Sequence, residues 1–451
     1  MARQFFGTDG IRGRVGEPPM TAEFALRLAS AAARVLAPRG GRVVIGKDTR
    51  VSGYMLESSL EAGFVAAGMD VQLLGPLPTP GIAYLTQALN ADLGVVISAS
   101  HNPYYDNGIK FFDKHGAKLP DSVEEQIEGF LSEPAITRDS GSLGRAKRID
   151  SAREDYQRFC LSTVPDGFRL DGLKIVLDCS HGAGYKVAPR VMTALGAEIV
   201  AVGCSPNGRN INDGCGSTSP ELMTVTVRAI GADLGIAFDG DGDRVLMVDS
   251  DGNLVDGDQL LYVLATARKS AGTLVGPVVG TLMTNLGLER ALAQSGIEFL
   301  RADVGDRYVM AMLNQAGGQL GGETSGHLLC LDKTTTGDGL VSALQVLVVM
   351  QQAGRPLADL TAGMAQFPQT LINVRTRSKI AVADSTEIQG AIAAAERRLA
   401  DRGRILVRAS GTEPVVRVMV EGEDEGEVNQ LAEELAAEIQ KQWGQTAVPV
   451  S

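Results

Sequence analysis

The sequence lacks a basic run, a long apolar stretch and a paired-cysteine motif, and each absence narrows the reading. Net charge is −12, with no basic tail, which argues against nucleic acid and anionic membrane surfaces as partners. Any anionic ligand must then be held by a local cluster of Arg and Lys. No apolar run approaches the roughly 20 residues of a membrane span, and Met1-Ala2-Arg3-Gln4-Phe5-Phe6-Gly7 has no apolar signal core. The five cysteines (Cys160, Cys179, Cys204, Cys215 and Cys330) are odd in number, scattered, and form no C-x-x-C. They read as free thiols in a reducing cytoplasm. Low-complexity segments are absent too. What remains is a soluble globular composition, 44% hydrophobic and 21% charged, over 451 residues. That length exceeds one ordinary core and implies two to four domains.

What is present is a repeated unit. Ala91-Asp92-Leu93-Gly94-Val95-Val96-Ile97-Ser98 leads into Ser100-His101-Asn102-Pro103, and Ala232-Asp233-Leu234-Gly235-Ile236-Ala237-Phe238-Asp239 leads into Asp241-Gly242-Asp243-Arg244. With Ala91 laid on Ala232, Ser100 falls on Asp241. Each copy reads as a buried strand ending in a polar loop. Around them the pattern strand–loop–helix–strand–helix–strand–loop occurs three times. Strands are expected at 42–46, at 70–74 and in the run ending at Ser98, with helices near 54–67 and 81–89. The second copy has strands at 174–178, at 197–201 and into Asp239. The third and weakest has 277–280, 297–300 and 319–323. This alternation predicts βαβ units on mainly parallel sheets with right-handed crossovers. After about Leu371 the expected elements are a strand at 371–375, an Ala-rich helix at 386–402, strands at 404–408 and 415–420, and an acidic helix at 425–442. The expected domains are 1–150, 151–255, 256–370 and a small α+β domain at 371–451.

Four loops carry chemistry. In Ser98-Ala99-Ser100-His101-Asn102-Pro103, Asn-Pro stops the strand in a turn and leaves a hydroxyl beside an imidazole. Ser100 is then a nucleophilic or phosphate-bearing serine, with Lys110 nearby as a cation or proton-transfer group. The bland alternatives are a capping serine and a solvated lysine. The run Asp239-Gly240-Asp241-Gly242-Asp243 places three carboxylates at two-residue spacing. At about 4 Å each pair repels by roughly 4 kcal/mol at an effective dielectric of 20, so convergence calls for a cation, and few carboxylates plus a phosphate oxygen suit Mg²⁺. An EF-hand would need Gly where Arg244 stands and Glu where Ser250 stands, followed by a helix, whereas 245–248 reads as strand. A solvated acidic turn is the alternative. In Gly321-Gly322-Glu323-Thr324-Ser325-Gly326-His327, the side chains of Glu323, Ser325 and His327 suit sugar hydroxyls, although a capped Gly-rich turn has the same composition. In Arg408-Ala409-Ser410-Gly411-Thr412-Glu413-Pro414, with Arg417 beyond, Arg408, Ser410 and Thr412 plus the amides freed by Gly411 make a phosphate cradle. A β-turn with a surface ion pair to Glu413 is the plainer reading. A phosphate-bearing hydroxyl and a cation cage are the two parts phosphoryl transfer needs.

Taken in order, these loops resemble those of the α-D-phosphohexomutase superfamily, and within it the bacterial phosphoglucosamine mutases. The resemblance also rests on Phe6-Gly7-Thr8-Asp9-Gly10-Ile11-Arg12-Gly13, on Gly46-Lys47-Asp48-Thr49-Arg50 and on Asp106-Asn107-Gly108-Ile109-Lys110-Phe111-Phe112, and it spans nearly the whole chain. It implies three similar mixed-sheet α/β domains plus a smaller C-terminal domain around a central cleft. It implies phosphoserine at Ser100, and Mg²⁺ held by Asp239, Asp241, Asp243 and a phosphoserine oxygen. Glu323, Ser325 and His327 would meet the sugar, and Arg408, Ser410, Gly411, Thr412 and Arg417 its distal phosphate. Arg12, His101, Lys110 and Arg244 would line the reacting phosphoryl group, with Lys110 a candidate general base or acid. The implied reaction interconverts glucosamine 6-phosphate and glucosamine 1-phosphate through a sugar 1,6-bisphosphate, toward UDP-N-acetylglucosamine and cell-wall precursors, in a cytoplasmic homodimer. Two positions depart from the family pattern: Thr324 stands where Gln is common and Ala409 where Pro is usual. A phosphomannomutase/phosphoglucomutase, a non-catalytic sugar-phosphate-binding protein and a Mg²⁺-dependent phosphatase are the alternatives.

Overall fold

The computed structural model describes residues 4–378, 380–409 and 414–444. The chain divides into two compact units, one of residues 1–281 with 300–362, the other of 282–299 with 363–451.

The larger unit carries three sheets built on one plan. In the first, Met69–Pro76, Gly41–Lys47 and Leu93–Ile97 lie parallel, and Asp106–Asp113 returns antiparallel beside Leu93–Ile97. Ile11–Arg14 and Ala146–Arg148 close its edges. In the second, Glu198–Val202, Lys174–Asp178 and Leu234–Phe238 are parallel and Val245–Val248 returns antiparallel. In the third, Phe299–Ala302, Val278–Thr281 and Leu320–Gly322 are neighbours in that order, and Leu328–Cys330 returns antiparallel. The three expected copies are therefore real. In each, the loop with the chemistry joins the third strand to its antiparallel neighbour.

The registers follow from the repeat. Leu93–Ile97 and Leu234–Phe238 are buried throughout, as befits central strands covered on both faces. The Asp before each strand clamps the start of the strand that opens its copy of the repeat. Asp92 accepts from the Arg42 amide at 2.8 Å and Asp233 from the Lys174 amide at 2.7 Å. Helices Ala22–Leu36 and Ser52–Ala66 pack Leu28, Leu56, Leu60 and Phe64 on the first sheet.

Boundaries shift by one to three residues. The second strand of the third copy is Phe299–Ala302 rather than 297–300. The Ile297 amide still donates to the Leu292 carbonyl of the preceding helix at 2.9 Å, so the chain enters the sheet two residues later. The Ala-rich helix ends at Leu399 rather than 402, because Ala400 adopts φ +49°.

In the smaller unit, Gln369–Arg375, Val415–Gly422 and Gly403–Ala409 form an antiparallel sheet with Val415–Gly422 in the centre. Helices Thr386–Leu399 and Glu425–Trp443 contribute Ile388, Leu399, Leu431 and Leu435 to its core.

Candidate active site

Ser100 sits buried at the end of Leu93–Ile97 with φ +53°, a region that non-glycine residues seldom occupy. Its neighbours hold it there. The Ser100 carbonyl accepts from Arg50 Nη2 and Asn212 Nδ2, both at 2.9 Å, and its amide donates to Ser98 Oγ at 3.0 Å. Arg50 organises the whole turn. It is fully buried, donates from Nε to Asp48 Oδ2 at 2.8 Å, and also meets the carbonyls of Asn102, Pro103 and Asp106. Ser98 Oγ donates to Asp48 Oδ2 at 2.6 Å, which leaves Ser98 committed to structure. Burial pushes the Asp48 carboxyl above its ordinary value, against the pull of Arg50 and Ser98. Neither Arg50 nor Asn212 stands out in the sequence as part of this loop. The only trace is an Asp-Thr-Arg at the end of a strand.

The acidic loop meets Ser100 directly. Ser100 Oγ donates to Asp239 Oδ2 at 2.5 Å. Asp239, Asp241 and Asp243 are all buried, and one ligand oxygen from each lies within 4.8 Å of the others. Among the described residues they are the one such metal-type group. Gly242 has φ +73°, and a β-carbon on Gly240 would stand 2.6 Å from the Ser100 carbonyl oxygen. One glycine thus serves the turn and the other the close approach. Asp241 Oδ2 accepts from Thr79 Oγ1 at 2.7 Å and Lys110 Nζ at 2.9 Å. Asp241 Oδ1 and Asp243 Oδ1 are buried without a hydrogen-bond partner. Burial and the charges of Asp243 and Asp241 push Asp239 well above the usual carboxylate range. Two orphaned oxygens beside a crowded third carboxylate are what a hard divalent cation would satisfy, so these residues fit Mg²⁺.

Backbone bonds clamp this loop from its neighbours. The Thr79 amide donates to the Asp241 carbonyl at 2.8 Å, Gly339 to Gly242 at 3.1 Å, Ala183 to Gly240 at 2.8 Å, and the Val245 amide to Gly326 at 3.0 Å. Gly339 opens the helix Gly339–Ala353, capped by Asp338, which accepts from the Val341 amide at 2.9 Å and from the Tyr156 hydroxyl at 2.8 Å. Burial raises the Asp338 carboxyl to about 6, against those two hydrogen bonds. The folded protein therefore holds this proton more tightly than the unfolded chain does. Its stabilising effect is full below about pH 4 and is lost as pH rises through about 6. Comparing the melting of native and Asp338→Asn protein across this window should show the native advantage shrinking by up to about 3 kcal/mol. A pH-independent difference would remove the assignment.

The cations gather against the acidic loop. Lys110 is buried, with Nζ 2.8 Å from Asp9, 2.9 Å from Asp241 and 3.7 Å from Asp243. Burial opposes its charge, yet Asp241, Asp9 and Asp243 hold its pKa above the ordinary lysine value. Lys110 is thus a fixed ammonium, suited to stabilising negative charge rather than to giving up or accepting a proton. His101 Nδ1 lies 3.4 Å from Ser100 Oγ. Burial, then Arg244 and Arg12, lower the imidazole to about 4, so it is neutral at physiological pH. Arg12 pairs with Asp9.

Arg12, His101, Asp243, Arg244, Glu323 and His327 share the lining of a cavity of about 440 Å³. Glu323 accepts from the Gly305 amide at 3.1 Å, and burial raises its carboxyl. His327 Nε2 lies 3.3 Å from Asp306 and Nδ1 3.7 Å from Asp243. Burial opposes its charge, but Asp306 and Asp243 raise the imidazole to about 9, keeping it cationic. Lys118, absent from the sequence-based set, bridges Asp9 at 2.6 Å and also pairs with Asp306. Ser325 differs from its neighbours. It is exposed on the turn and does not line the cavity. Thr324 faces inward, its hydroxyl donating to Asp258 at 2.8 Å.

In the smaller unit, Arg408 and Arg417 are directly opposite each other on Gly403–Ala409 and Val415–Gly422, and both are half-buried. Like charges so placed repel each other. Ser410, Gly411 and Thr412 lie outside the described residues.

Models of the phosphoglucomutase/phosphomannomutase family match the chain in four consecutive pieces: alpha/beta/alpha domain I at residues 3–135, domain II at 155–252, domain III at 256–367 and the C-terminal domain at 371–438. The chain belongs to this family. A phosphoglucosamine mutase of Thioalkalivibrio sulfidiphilus is 57% identical over 443 residues, 97% of this chain and 98% of the relative. A phosphoglucomutase/phosphomannomutase family protein from Burkholderia thailandensis has a crystal structure with a TM-score of 0.80 at 26% identity, covering 96% of this chain and 97% of that one. The fold is shared with Aspergillus fumigatus N-acetylphosphoglucosamine mutase, solved in complex with GlcNAc-6P and magnesium (TM-score 0.68, 17% identity, 97% of this chain and 96% of that one). The family's enzymes are intramolecular phosphotransferases of the isomerase class, and all four of its segments are matched in this chain.

Proposed function

We propose that this enzyme interconverts glucosamine 6-phosphate and glucosamine 1-phosphate through a phosphoserine at Ser100 and a bound glucosamine 1,6-bisphosphate. The observation that carries the mechanism is the Ser100 hydroxyl, 2.5 Å from Asp239 within a buried cluster of three carboxylates and a lysine. The choice of glucosamine rests on relatives of that name at 55% and 57% identity over nearly the whole chain. The α/β neighbour solved with GlcNAc-6P and magnesium supports the pairing of ion and amino-sugar phosphate in this fold.

The first step moves the phosphoryl group from Ser100 Oγ to the free hydroxyl of the bound monophosphate. The P–O bond to Oγ breaks as that to the sugar forms, and the hydroxyl proton passes to the Ser100 oxygen or to solvent. After the bisphosphate turns over, Ser100 Oγ attacks the other phosphate and the starting phosphoenzyme returns. Asp239, Asp241 and Asp243 would hold Mg²⁺, which when bound offsets charge on the transferring group. Arg12, Arg244 and Lys110 surround the same group with fixed positive charge, while neutral His101 orients the Ser100 oxygen. Glu323 and cationic His327 face the cavity as acceptor and donor for sugar hydroxyls. Arg408 and Arg417, with Ser410, Gly411 and Thr412, would hold the phosphate that is not reacting. Nothing observed assigns Ser325 to the sugar beyond its place in the motif.

The same cradle must accept either end of the sugar. Arg408→Ala and Arg417→Ala should therefore each weaken both monophosphates, raising KM by about 10- to 100-fold in either direction, the scale of one lost charge-assisted contact. An effect confined to one direction would end the single-cradle reading. A homodimer in a reducing cytoplasm completes the proposal, consistent with five unpaired thiols, and light scattering checks the dimer. The deciding test of function is turnover of glucosamine, glucose and mannose monophosphates with Mg²⁺ and a bisphosphate activator. Preference for glucosamine phosphates is expected. Preference for mannose or glucose phosphates would reassign the substrate, and release of inorganic phosphate without isomerisation would make the protein a phosphatase.

A further inference from the structure

Three of the five cysteines, scattered in sequence, gather at one end of the second sheet. Lys174–Asp178 and Glu198–Val202 run parallel with Asp178 opposite Val202, so Cys179 and Cys204 leave the sheet side by side. The Cys179 amide donates to the Val202 carbonyl at 3.2 Å and the His181 amide to the Gly203 carbonyl at 2.5 Å, which fixes both exits. Cys179 is buried, whereas Cys204 is half-exposed. Hydrogen bonding from Cys179 favours the Cys204 thiolate, against burial and Asp178. Cys215 is the third member; burial, then Asp178, push its thiol up to about 12, and the hydrogen bond to Cys204, then burial, push the Cys179 thiol well above its ordinary value, so Cys204 is the member of the group favoured to react first.

The segment around this pair reaches the candidate active site. Ser180 and His181 both adopt φ +51°. The Ser180 carbonyl accepts from the Asn212 amide at 2.9 Å, and the Asn212 side chain donates to the carbonyls of Ser100 and Asn102 at 2.9 and 3.1 Å. The His181 carbonyl accepts from Thr49 Oγ1 at 2.6 Å, one residue from Arg50.

We infer that Cys204 and Cys179 form a dithiol site that a peroxide oxidises to a disulfide, and that this bond unseats the Asn212 segment from the Ser100 loop. The Cys204 thiolate attacks one peroxide oxygen. An S–O bond forms, the O–O bond breaks, and hydroxide leaves to take up the Cys204 proton as water. The Cys179 thiol then attacks the sulfenic sulfur, passing its proton to the departing hydroxide as S–S forms and S–O breaks, and a second water leaves. Two thiols are oxidised and one hydrogen peroxide is reduced to two waters.

The chemical half stands apart from the proposed function, whereas the loss of activity rests on it. Exposing the full-length protein to hydrogen peroxide, followed by non-reducing peptide mapping, should yield a 179–204 crosslink reversed by dithiothreitol. Cys179→Ala should stop at a Cys204 sulfenic acid that dimedone captures, and Cys204→Ser should form no crosslink. A Cys204 that stays reduced while free glutathione is oxidised, or a crosslink from Cys215 instead, would overturn the site. Oxidised native protein should lose about ten-fold or more of its mutase turnover, while peroxide-treated Cys204→Ser keeps its own. A crosslink without that loss would overturn the coupling to Ser100 while leaving the dithiol chemistry standing.

Discussion

Ser100→Ala should leave a folded protein whose mutase turnover falls by on the order of 10⁴-fold or more, the scale seen when a covalent nucleophile is removed. Alanine keeps the β-carbon, so the left-handed backbone at φ +53° costs about what it does for serine. The carbonyl bonds from Arg50 and Asn212 are untouched. The variant loses the hydrogen bond from Oγ to Asp239 and the longer contact with His101 Nδ1, a change of roughly 1–2 kcal/mol, so melting should shift by only a few degrees. The chemistry is another matter. An isomerisation consumes no phosphoryl donor, so the protein must store the group between turnovers. A phosphomonoester carries about −1.5 to −2 charge at neutral pH, and here Lys110, Arg12, Arg244 and a bound cation would surround it. Phosphopeptide mapping after incubation with labelled sugar bisphosphate should place the label on Ser100 in native protein and leave none in the variant. A Ser100→Ala protein with more than a tenth of native activity would return this residue to an ordinary turn.

Asp241→Asn should weaken Mg²⁺ binding by at least about 100-fold, with a matching loss of activity at limiting Mg²⁺. Asparagine has the same shape. Its oxygen can still accept from Thr79 Oγ1 and Lys110 Nζ, as Asp241 Oδ2 does. That orientation aims the amide nitrogen, a donor, from the position of the orphaned Asp241 Oδ1, where a cation would need an acceptor. One carboxylate fewer relieves repulsion with Asp239 and Asp243 but removes the first charge partner of buried Lys110, so the metal-free variant should keep its fold at somewhat lower stability than the native protein. Titration calorimetry with MgCl₂ measures the first effect and thermal unfolding the second. Native affinity together with native turnover at limiting Mg²⁺ would remove the metal assignment.

Much of this was legible because strand registers repeat. The Ala-Asp-Leu-Gly runs place Ser100 and Asp241 alike, and the matching clamps by Asp92 and Asp233 show why the runs recur. Asp239, Asp241 and Asp243 declare themselves by charge density alone. The missed residues act across distance. Arg50 and Asn212 reach Ser100 from 50 and 112 residues away, Thr79 reaches Asp241 from 162, and Lys118 reaches Asp306 from 188. No local pattern encodes such pairs. Ser325 went the other way. Its motif is local, but the turn leaves its side chain exposed. The late start of Phe299–Ala302 has the same origin, since one backbone bond to the preceding helix decides it.

The backbone clamps on the acidic loop make it a keystone rather than a module. Its three carboxylates come from a single hairpin, which by itself suggests an ion site that could be lifted out and grafted elsewhere. Yet its carbonyls are gripped by Thr79 from one flank and Gly339 from the other, while Gly326 receives the Val245 amide just beyond. Free energy of ion binding is therefore shared with every segment that supplies a grip. An occupied site would tighten the packing of 79–88 and 339–353 as much as that of its own hairpin. A chelator would loosen all three together, as one cooperative event, and a transplanted hairpin would keep its carboxylates but not their spacing.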